Sequence, residues 1–449
     1  MDYNLNNDNI EYLKFYGKTM IKIGLCGLGT VGKSFFDHLN VHKKRIASNI
    51  DQDFKLLAIA DRSIEKKINN KDFILTKNPI EVAENPDIDI VVELIGDIDT
   101  SLELVTKSIK NNKQIITANK ALIAKHGDEI FSQAKQNDVF IGFEASVAGA
   151  IPIIQTILKN FSNEKITSIV GIINGTSNFI LDQMTNSNCE FSLALKEAQK
   201  LGYAEADPSF DINGQDAAHK ISILSALAFK IKSPLDKTHI EGIEKITPMD
   251  IKYASELGYI IKHVGITEFI NNSVVSRVHP VLVSNKDIFS NTPNVMNSII
   301  VEGDRFGKTM LYGHGAGGDA TASAVVADLI SAINHKSNVD TSYSQMVHSS
   351  VIQDYEIMDI DDVVSQYYMR IFADDKPGVM AEITNKLAEQ KISIEAVTQH
   401  EPNNNNSPIP IVMITDRVDG EHIKSAIKNI EAMPHIREKV YSIRILKNE

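Results

Sequence analysis

The stretch Met20-Ile-Lys-Ile-Gly-Leu-Cys-Gly-Leu-Gly-Thr-Val-Gly32 decides how the first third of the chain folds. Met20 to Cys26 reads as a short buried strand, and a helical pattern runs from Lys33 to about Ala47. Between them stands Gly27-x-Gly29-x-x-Gly32. Glycines at this spacing let the backbone turn tightly and approach a pyrophosphate at the N-terminus of the next helix. The motif by itself is weak evidence; its place between strand and helix makes dinucleotide binding the expectation. A second strand, Lys55 to Ala60, ends in Asp61-Arg62. Asp61 stands where an acidic side chain hydrogen-bonds the adenosine ribose. It comes about 30 residues after the glycines, later than the usual spacing of roughly 20. Arg62 suits a 2′-phosphate instead, so the pair leaves NAD and NADP both open.

Outward from this stretch, strands and helices alternate. Ile88 to Glu93 is a third apolar strand, Ser101 to Asn111 is helical, Gln114 to Thr117 is a strand, Lys120 to Asn137 is helical and Val139 to Glu144 is a further strand. Alternation of this kind predicts a doubly wound, mostly parallel sheet. From Gly149 the order becomes α+β. The expected helices are Ile151–Asn160, Phe191–Leu201, Asp216–Phe229 and Ala320–Asn334; strands are expected over Lys165–Ile173, within Ile266–Pro280 and over Asn297–Gly303. Gly313-His-Gly-Ala-Gly-Gly318 reads as a flexible loop. The last segment, from Gln366 to Leu446, follows the order βαββαβ, a ferredoxin-like unit, with a turn at Asp375-Lys-Pro-Gly378 and a loop from Glu401 to Ser407. The expected layout is a tail over 1–19, a dinucleotide-binding domain over 20–148, a second domain over 149–335, a linker over 336–364 and a C-terminal domain over 365–449.

Bulk composition narrows the function. The chain has 449 residues, 43% hydrophobic and 23% charged, which is ordinary for a globular protein of several domains. A formal net charge of −12 argues against nucleic acid and against anionic membranes as partners. No apolar run reaches the roughly 18 to 20 residues needed to span a bilayer. Residues 1–19 lack the basic flank and apolar core of a signal peptide. Two cysteines, Cys26 and Cys189, allow no disulfide framework, and a reducing, cytoplasmic location is expected. Cys26 ends a buried strand and Cys189 lies in a polar loop, so neither reads as a nucleophile.

Three further segments carry chemistry. Leu201 to Lys220 holds Glu205, Asp207, Asp211, Asp216 and Lys220 around Pro208 and Gly214. Asp216 and Lys220 stand at i and i+4, so on a helix they share a face and can touch. A lysine held among carboxylates at a core edge is a candidate proton carrier; the plainer reading is a solvated helix start. Thr117-Ala-Asn-Lys120 follows a strand at the carboxyl edge of the sheet, where ligands of open α/β sheets bind. Glu144-Ala-Ser-Val-Ala-Gly-Ala-Ile151 puts a carboxylate before small residues. It reads as a close-packed turn, or as a turn offering carbonyls to a hard cation.

Several of these segments converge on one family. Gly27-Leu-Gly-Thr-Val-Gly32, Thr117-Ala-Asn-Lys120, Phe143-Glu-Ala-Ser-Val-Ala-Gly149, Gly171-Ile-Ile-Asn-Gly-Thr176 and Leu201-Gly-Tyr-Ala-Glu-Ala-Asp-Pro208 resemble, in order, the motifs of homoserine dehydrogenase. Asp211, Asp216, Lys220, Gly315-Ala-Gly317 and Thr321-Ala-Ser-Ala324 extend the match, which covers roughly residues 20–335. Residues 365–449 resemble the ACT regulatory domain that many of these enzymes carry. The resemblance implies a Rossmann-type domain, an α+β catalytic and dimerisation domain, and reversible reduction of L-aspartate 4-semialdehyde to L-homoserine by NAD(P)H. It makes Lys220 the proton donor, with Asp211 and Lys120 as further catalytic groups. Glu205, Asp216, Gly175 and Thr176 would bind the substrate. Gly27, Leu28, Gly29, Thr30, Val31, Gly32, Asp61, Arg62, Lys120, Gly202 and Gly315 would bind the cofactor. Glu144, with the carbonyls of Val147, Gly149 and Ile151, would hold a structural sodium ion. A homodimer or homotetramer, and feedback by threonine through the ACT domain, are implied as well. Two departures from the family pattern stand out: Asp97 where a glycine is usual, and Asp319-Ala320 where a proline is common before Thr321. A rival that acylates a cysteine needs a reactive thiol. A catalytically silent amino-acid and NAD(P) sensor would be favoured by loss of Lys220 or Asp216, and both are present.

Overall fold

The computed structural model describes residues 20–50, 52–67, 72–337, 352–400 and 408–446. The expected tail 1–19, residues 338–351 of the expected linker and the asparagine loop at 401–407 lie outside them. The described chain falls into two compact units. One lies within Met1–Ile166, Ser222–Leu235 and Glu302–Asp354, the other within Thr167–Ile221, Asp236–Val301 and Tyr355–Glu449.

The first unit is built on β1 (Ile21–Cys26), β2 (Phe54–Ala60), β3 (Ile74–Thr76), β4 (Ile90–Glu93), β5 (Gln114–Thr117) and β6 (Ile141–Gly142). Their order is β3-β2-β1-β4-β5-β6, and every pairing is parallel. Such strands are buried on both faces, which is why they read as apolar runs. The order reverses beside β1, and the crevice at that switch point is where nucleotides bind in doubly wound sheets. The helix after the glycines, Thr30–Ile50, extends beyond the expected span at both ends. The helix Gly318–Lys336 packs against it within this unit. The reason is its buried face of Ala322, Val325, Val326, Leu329 and Ile333, which needs an apolar partner. The expected helix over 151–160 begins as one α-turn, Ile153–Gln155, and continues as a π-turn, Thr156–Asn160.

The second unit contains β7 (Ile166–Ile172), β8 (His239–Ile240), β9 (Tyr259–Ile270), β10 (Ser273–Ser284) and β11 (Met296–Gly303); β12 (Gly307–His314) follows in the chain. β9 and β10 form a long antiparallel hairpin through Asn271 and Asn272, whose φ angles of 48° and 66° suit a type I′ turn. The sequence reading places strands only within 266–280. The hairpin is longer because its strands are buried over most of their length and show no alternation. Of the expected linker, residues 352–364 are packed: β13 (Glu356–Ile357) pairs with β10, and Ile360 and Val363 bury against Val275. The C-terminal segment follows the expected order: β14 (Gln366–Ala373), helix Val379–Glu389, β15 (Ile394–Gln399), β16 (Ile409–Thr415), helix Gly420–Glu431 and β17 (Tyr441–Ile445). The sheet of this unit runs β11-β7-β9-β10-β17-β14-β16-β15, so the C-terminal strands extend the preceding strands through the β10–β17 pair. Among the described residues no helix is long and apolar enough to cross a membrane.

Candidate active site

In the first unit, the glycine run forms the turn its spacing predicts. Gly27 has a φ of 98°, and a Cβ there would lie 2.3 Å from the Leu94 carbonyl. A Cβ on Gly32 would lie 2.1 Å from the Gly27 carbonyl. Both positions therefore need glycine, and the first turn of Thr30–Ile50 follows directly, with its amides unpaired within the helix. Gly29 and Thr30 are exposed, and Leu28 and Val31 flank them. Gly318 packs on Thr30 and Ser34, which carries the 315–318 loop to the same helix start. Gly315 in turn sits against Gly149.

Asp61 ends β2 and closes on this loop. Its Oδ2 accepts from the Leu28 amide and from Lys67 Nζ, both at 2.8 Å, and its Oδ1 accepts from the amide and hydroxyl of Ser63, both at 2.8 Å. Burial pushes its pKa up, but the bonds from Lys67, Ser63 and Leu28 outweigh burial and hold the carboxyl well below the usual range. Lys67 also donates to the Leu28 carbonyl at 2.9 Å. Lys67 and Ser63 are missing from the sequence reading because a short helix, Ile64–Lys67, brings the lysine back; no spacing rule marks it. Arg62 is exposed beside them.

A second buried carboxylate, Glu93, organises the carboxyl edges of β4 and β5. It accepts from the Ile95 amide at 2.7 Å, the Ser101 hydroxyl at 2.8 Å and the Thr117 hydroxyl at 2.5 Å. Thr117 accepts from the Asn119 amide, and Asn119 caps the helix Lys120–Gln136. Lys120 is thus the first residue of a rigidly anchored helix. Asp97 is the N-cap of the helix Ile98–Lys110, accepting from the Thr100 amide at 2.9 Å. Its departure from glycine has a structural use. Asp319 likewise lies in the first turn of Gly318–Lys336, where a negative charge favours the helix dipole.

In the second unit the charge cluster of 201–220 separates into parts. Lys220 is 8% exposed, and its Nζ donates to Asp216 Oδ2 and to the Ile173 carbonyl, both at 2.7 Å. Asn174 Nδ2 donates to Asp211 Oδ1 and to Asp216 Oδ2, both at 2.8 Å. Asn174 also caps the helix Gly175–Ser187 through the Ser177 amide. One amide therefore joins both aspartates to the start of the helix that carries Gly175 and Thr176. Thr176 donates to the Tyr203 carbonyl at 2.7 Å. Glu205 is exposed, and its side chain makes no hydrogen bond or ion pair among the described residues. The structure does not draw it into the cluster. Asp207 binds Ser209 as a turn residue. Gly202 follows the helix Phe191–Lys200 with a φ of 75°. Lys120, Gly315 and the glycine run belong to the first unit, and Gly202, Glu205 and Lys220 to the second.

Glu144 is 2% exposed; its carboxylate accepts from the amides of Ile154 at 2.9 Å and Gln155 at 2.7 Å. Its own amide donates to the buried Asp328 at 2.8 Å. Burial, only partly offset by these amides, raises the Glu144 pKa to about 7; burial and then Glu144 push Asp328 well above its usual range. Asp328 Oδ1 has no hydrogen-bond partner among the described residues. Ala148 and Gly149, with φ of 56° and 53°, turn the chain sharply. The Ile151 carbonyl accepts from Ile153 at 2.8 Å. This all-oxygen set suits a hard cation. No cluster of three or more His, Cys, Asp or Glu side chains is arranged for a metal among the described residues, so a cation here would rely on backbone carbonyls. Cys26 is fully buried, and burial followed by Glu93 pushes its thiol far up, which removes it as a nucleophile.

Comparison with known proteins gives concordant results. Residues 152–330 match the homoserine dehydrogenase family, residues 27–144 its NAD-binding domain and residues 367–435 the ACT domain. A homoserine dehydrogenase of Pseudomonas aeruginosa is 42% identical over 95% of this chain and 98% of that protein. One from Neisseria gonorrhoeae is also 42% identical, over 95% of this chain and 98% of its own length. The crystal structure of a homoserine dehydrogenase from Thiobacillus denitrificans superposes with a TM-score of 0.90 at 41% identity, covering 96% of this chain and 99% of that one.

Proposed function

The chain belongs to the homoserine dehydrogenase family, and from that premise we propose how its own residues carry the reaction. It is an oxidoreductase acting on a CH–OH group, with an NAD(P)-binding domain and a C-terminal ACT domain. We assign it the reversible reduction of L-aspartate 4-semialdehyde to L-homoserine. The observation that carries the reading is the buried Lys220–Asp216 pair, tied by Asn174 to Asp211 and to the helix start at Gly175. A nicotinamide held at the glycine run would supply hydride chemistry at the aldehyde carbon. Lys220 Nζ supplies the proton to the aldehyde oxygen, and takes it back in the reverse direction. Asp216 holds the ammonium form of Lys220 and, with Asp211 and Glu205, suits the substrate ammonium. Gly175 and Thr176 offer the positive end of a 13-residue helix to the substrate carboxylate. Lys120 is assigned as a further catalytic group that would also touch the cofactor. The glycine run from Gly27 to Gly32 would hold the cofactor, and Gly202 and Gly315 are assigned to cofactor binding as well.

At the adenosine end, Asp61 is already saturated by Leu28, Ser63 and Lys67, while Arg62 and Lys67 bring positive charge. That supports a 2′-phosphate and hence NADP. Glu144, with Val147, Gly149 and Ile151, is assigned a structural sodium ion. The test is NADPH and NADH oxidation with aspartate semialdehyde, run in sodium and then in potassium buffer. The expected result is turnover with a higher kcat/KM for NADPH, and higher thermal stability in sodium. A folded enzyme without turnover would remove the activity; preference for NADH, or equal stability in both salts, would remove the corresponding finer reading.

The ACT domain is assigned to threonine feedback, and the alternating, partly exposed edge strand β15 supports pairing into a homodimer or homotetramer. Saturating threonine should slow the full-length enzyme. An unchanged rate would remove that effector, and a monomeric mass by light scattering would remove the assembly. The unpaired Cys26 and Cys189 suit the reducing cytoplasm, and recovery of the protein outside the cytoplasmic fraction would contradict that placement.

A further inference from the structure

Lys262 lies on β9 and is 1% exposed, yet no carboxylate approaches it to ion-pair distance among the described residues. Its Nζ donates to the Thr292 carbonyl at 2.7 Å and to Asn178 Oδ1 at 3.1 Å. Burial lowers its pKa to about 8, with Asp182 acting the other way. A buried ammonium held only by neutral acceptors is costly, and an apolar side chain of similar volume would be cheaper. Stability alone does not account for it.

The partners of Lys262 lead to the substrate end of the site. Asn178 sits one turn into the helix Gly175–Ser187, and its Nδ2 donates to the carbonyls of Thr292 at 3.0 Å and Asn294 at 2.8 Å. The Asn294 amide donates to Asp182 Oδ2, on the same helix, at 3.1 Å. Thr292 is held from below by the Ser298 hydroxyl at 2.8 Å. Asn294 takes a left-handed φ of 50°. The segment from Thr292 to Val295 is thereby clamped against the helix start. The Val295 carbonyl lies 2.8 Å from where a Cβ of Gly175 would stand. The clamp thus fixes the wall beside Gly175, and Lys262, its one basic member, places a positive charge behind the helix start.

We propose that Lys262 is a positioning residue for the carboxylate end of the amino-acid substrate, acting through Asn178 and the Thr292–Val295 segment on the helix start at Gly175 and Thr176. This rests on placing the substrate carboxylate at that helix start. Lys262→Met should raise the KM for aspartate semialdehyde and for homoserine about tenfold, the size expected for losing a charge-assisted hydrogen bond. The KM for NADPH and kcat should stay within about twofold. Aminopropanol, which is homoserine without its carboxylate, should inhibit Lys262→Met and wild type equally. If Lys262→Met does not fold, Asn178→Ala cuts the same clamp from the other side and should show the same selective rise. An unchanged KM in a folded variant would overturn the proposal. So would a parallel loss of kcat, of NADPH affinity and of aminopropanol binding, since that pattern marks a merely structural role. A normal KM in Thr176→Val would instead remove the placement of the substrate on which the proposal stands.

Discussion

At the scale of single residues, Lys220 shows how burial turns a common side chain into a reagent. Its ammonium is held by one carboxylate and one carbonyl, both at 2.7 Å, so its position is set before substrate arrives. Lys220→Ala removes the proton carrier but leaves the glycine run untouched. We expect kcat to fall on the order of 10²- to 10⁴-fold, the usual share of general acid catalysis. The dissociation constant for NADPH, read by fluorescence titration, should not change. Turnover close to wild type would refute the role of Lys220. The i, i+4 spacing made the Asp216–Lys220 contact legible in the sequence. The part played by Asn174 was not legible: an amide that bridges two aspartates and caps a helix depends on the meeting of three segments.

At the scale of elements, the strand–turn–helix from Ile21 to Ile50 was readable because each glycine answers a local demand. Gly32 is the clearest case, since a Cβ there would strike the Gly27 carbonyl, which is backbone and cannot swing away. Gly32→Ala should therefore displace the glycine run. The expected outcome is at least about tenfold weaker NADPH binding with the KM for aspartate semialdehyde much less affected; intact NADPH affinity would show that the run tolerates the methyl group. Other elements escaped local reading. The β9–β10 hairpin is buried over most of its length, so the alternation that marks a half-exposed strand is absent. Its turn, Asn271-Asn272, was the one local signal available.

At the scale of the whole molecule, the ACT domain is not a bead on a string within its unit. β17 pairs with β10, and Asp250 ties the helix Pro248–Glu256 to β14. Asp250 is fully buried; its Oδ1 accepts from the Tyr368 hydroxyl and its Oδ2 forms an ion pair with Arg370 Nη1, both at 3.0 Å. Asp250→Ala would leave Arg370 without its counter-charge and Tyr368 without its acceptor. Urea unfolding should show a loss of about 3–5 kcal/mol, the usual cost of breaking a buried pair. A change below about 1 kcal/mol would show that Arg370 finds water or another partner.

The sequence by itself determined the elements that answer to neighbours in the chain: the dinucleotide turn, the βαββαβ order, and the lysine one helical turn after an aspartate. Those patterns follow from backbone sterics and helical period, which act over a few residues. The tertiary structure decided what distant segments do to one another. It spent the lone pairs of Asp61 on Lys67 and Ser63, left Glu205 exposed, made Asp97 a helix cap, and packed the helix Gly318–Lys336 on Thr30–Ile50. It also buried Lys262 against the helix that begins at Gly175. Each of these depends on which side chains meet after the chain has closed on itself, and hydrogen bonding and burial between remote residues leave no periodic trace along the chain.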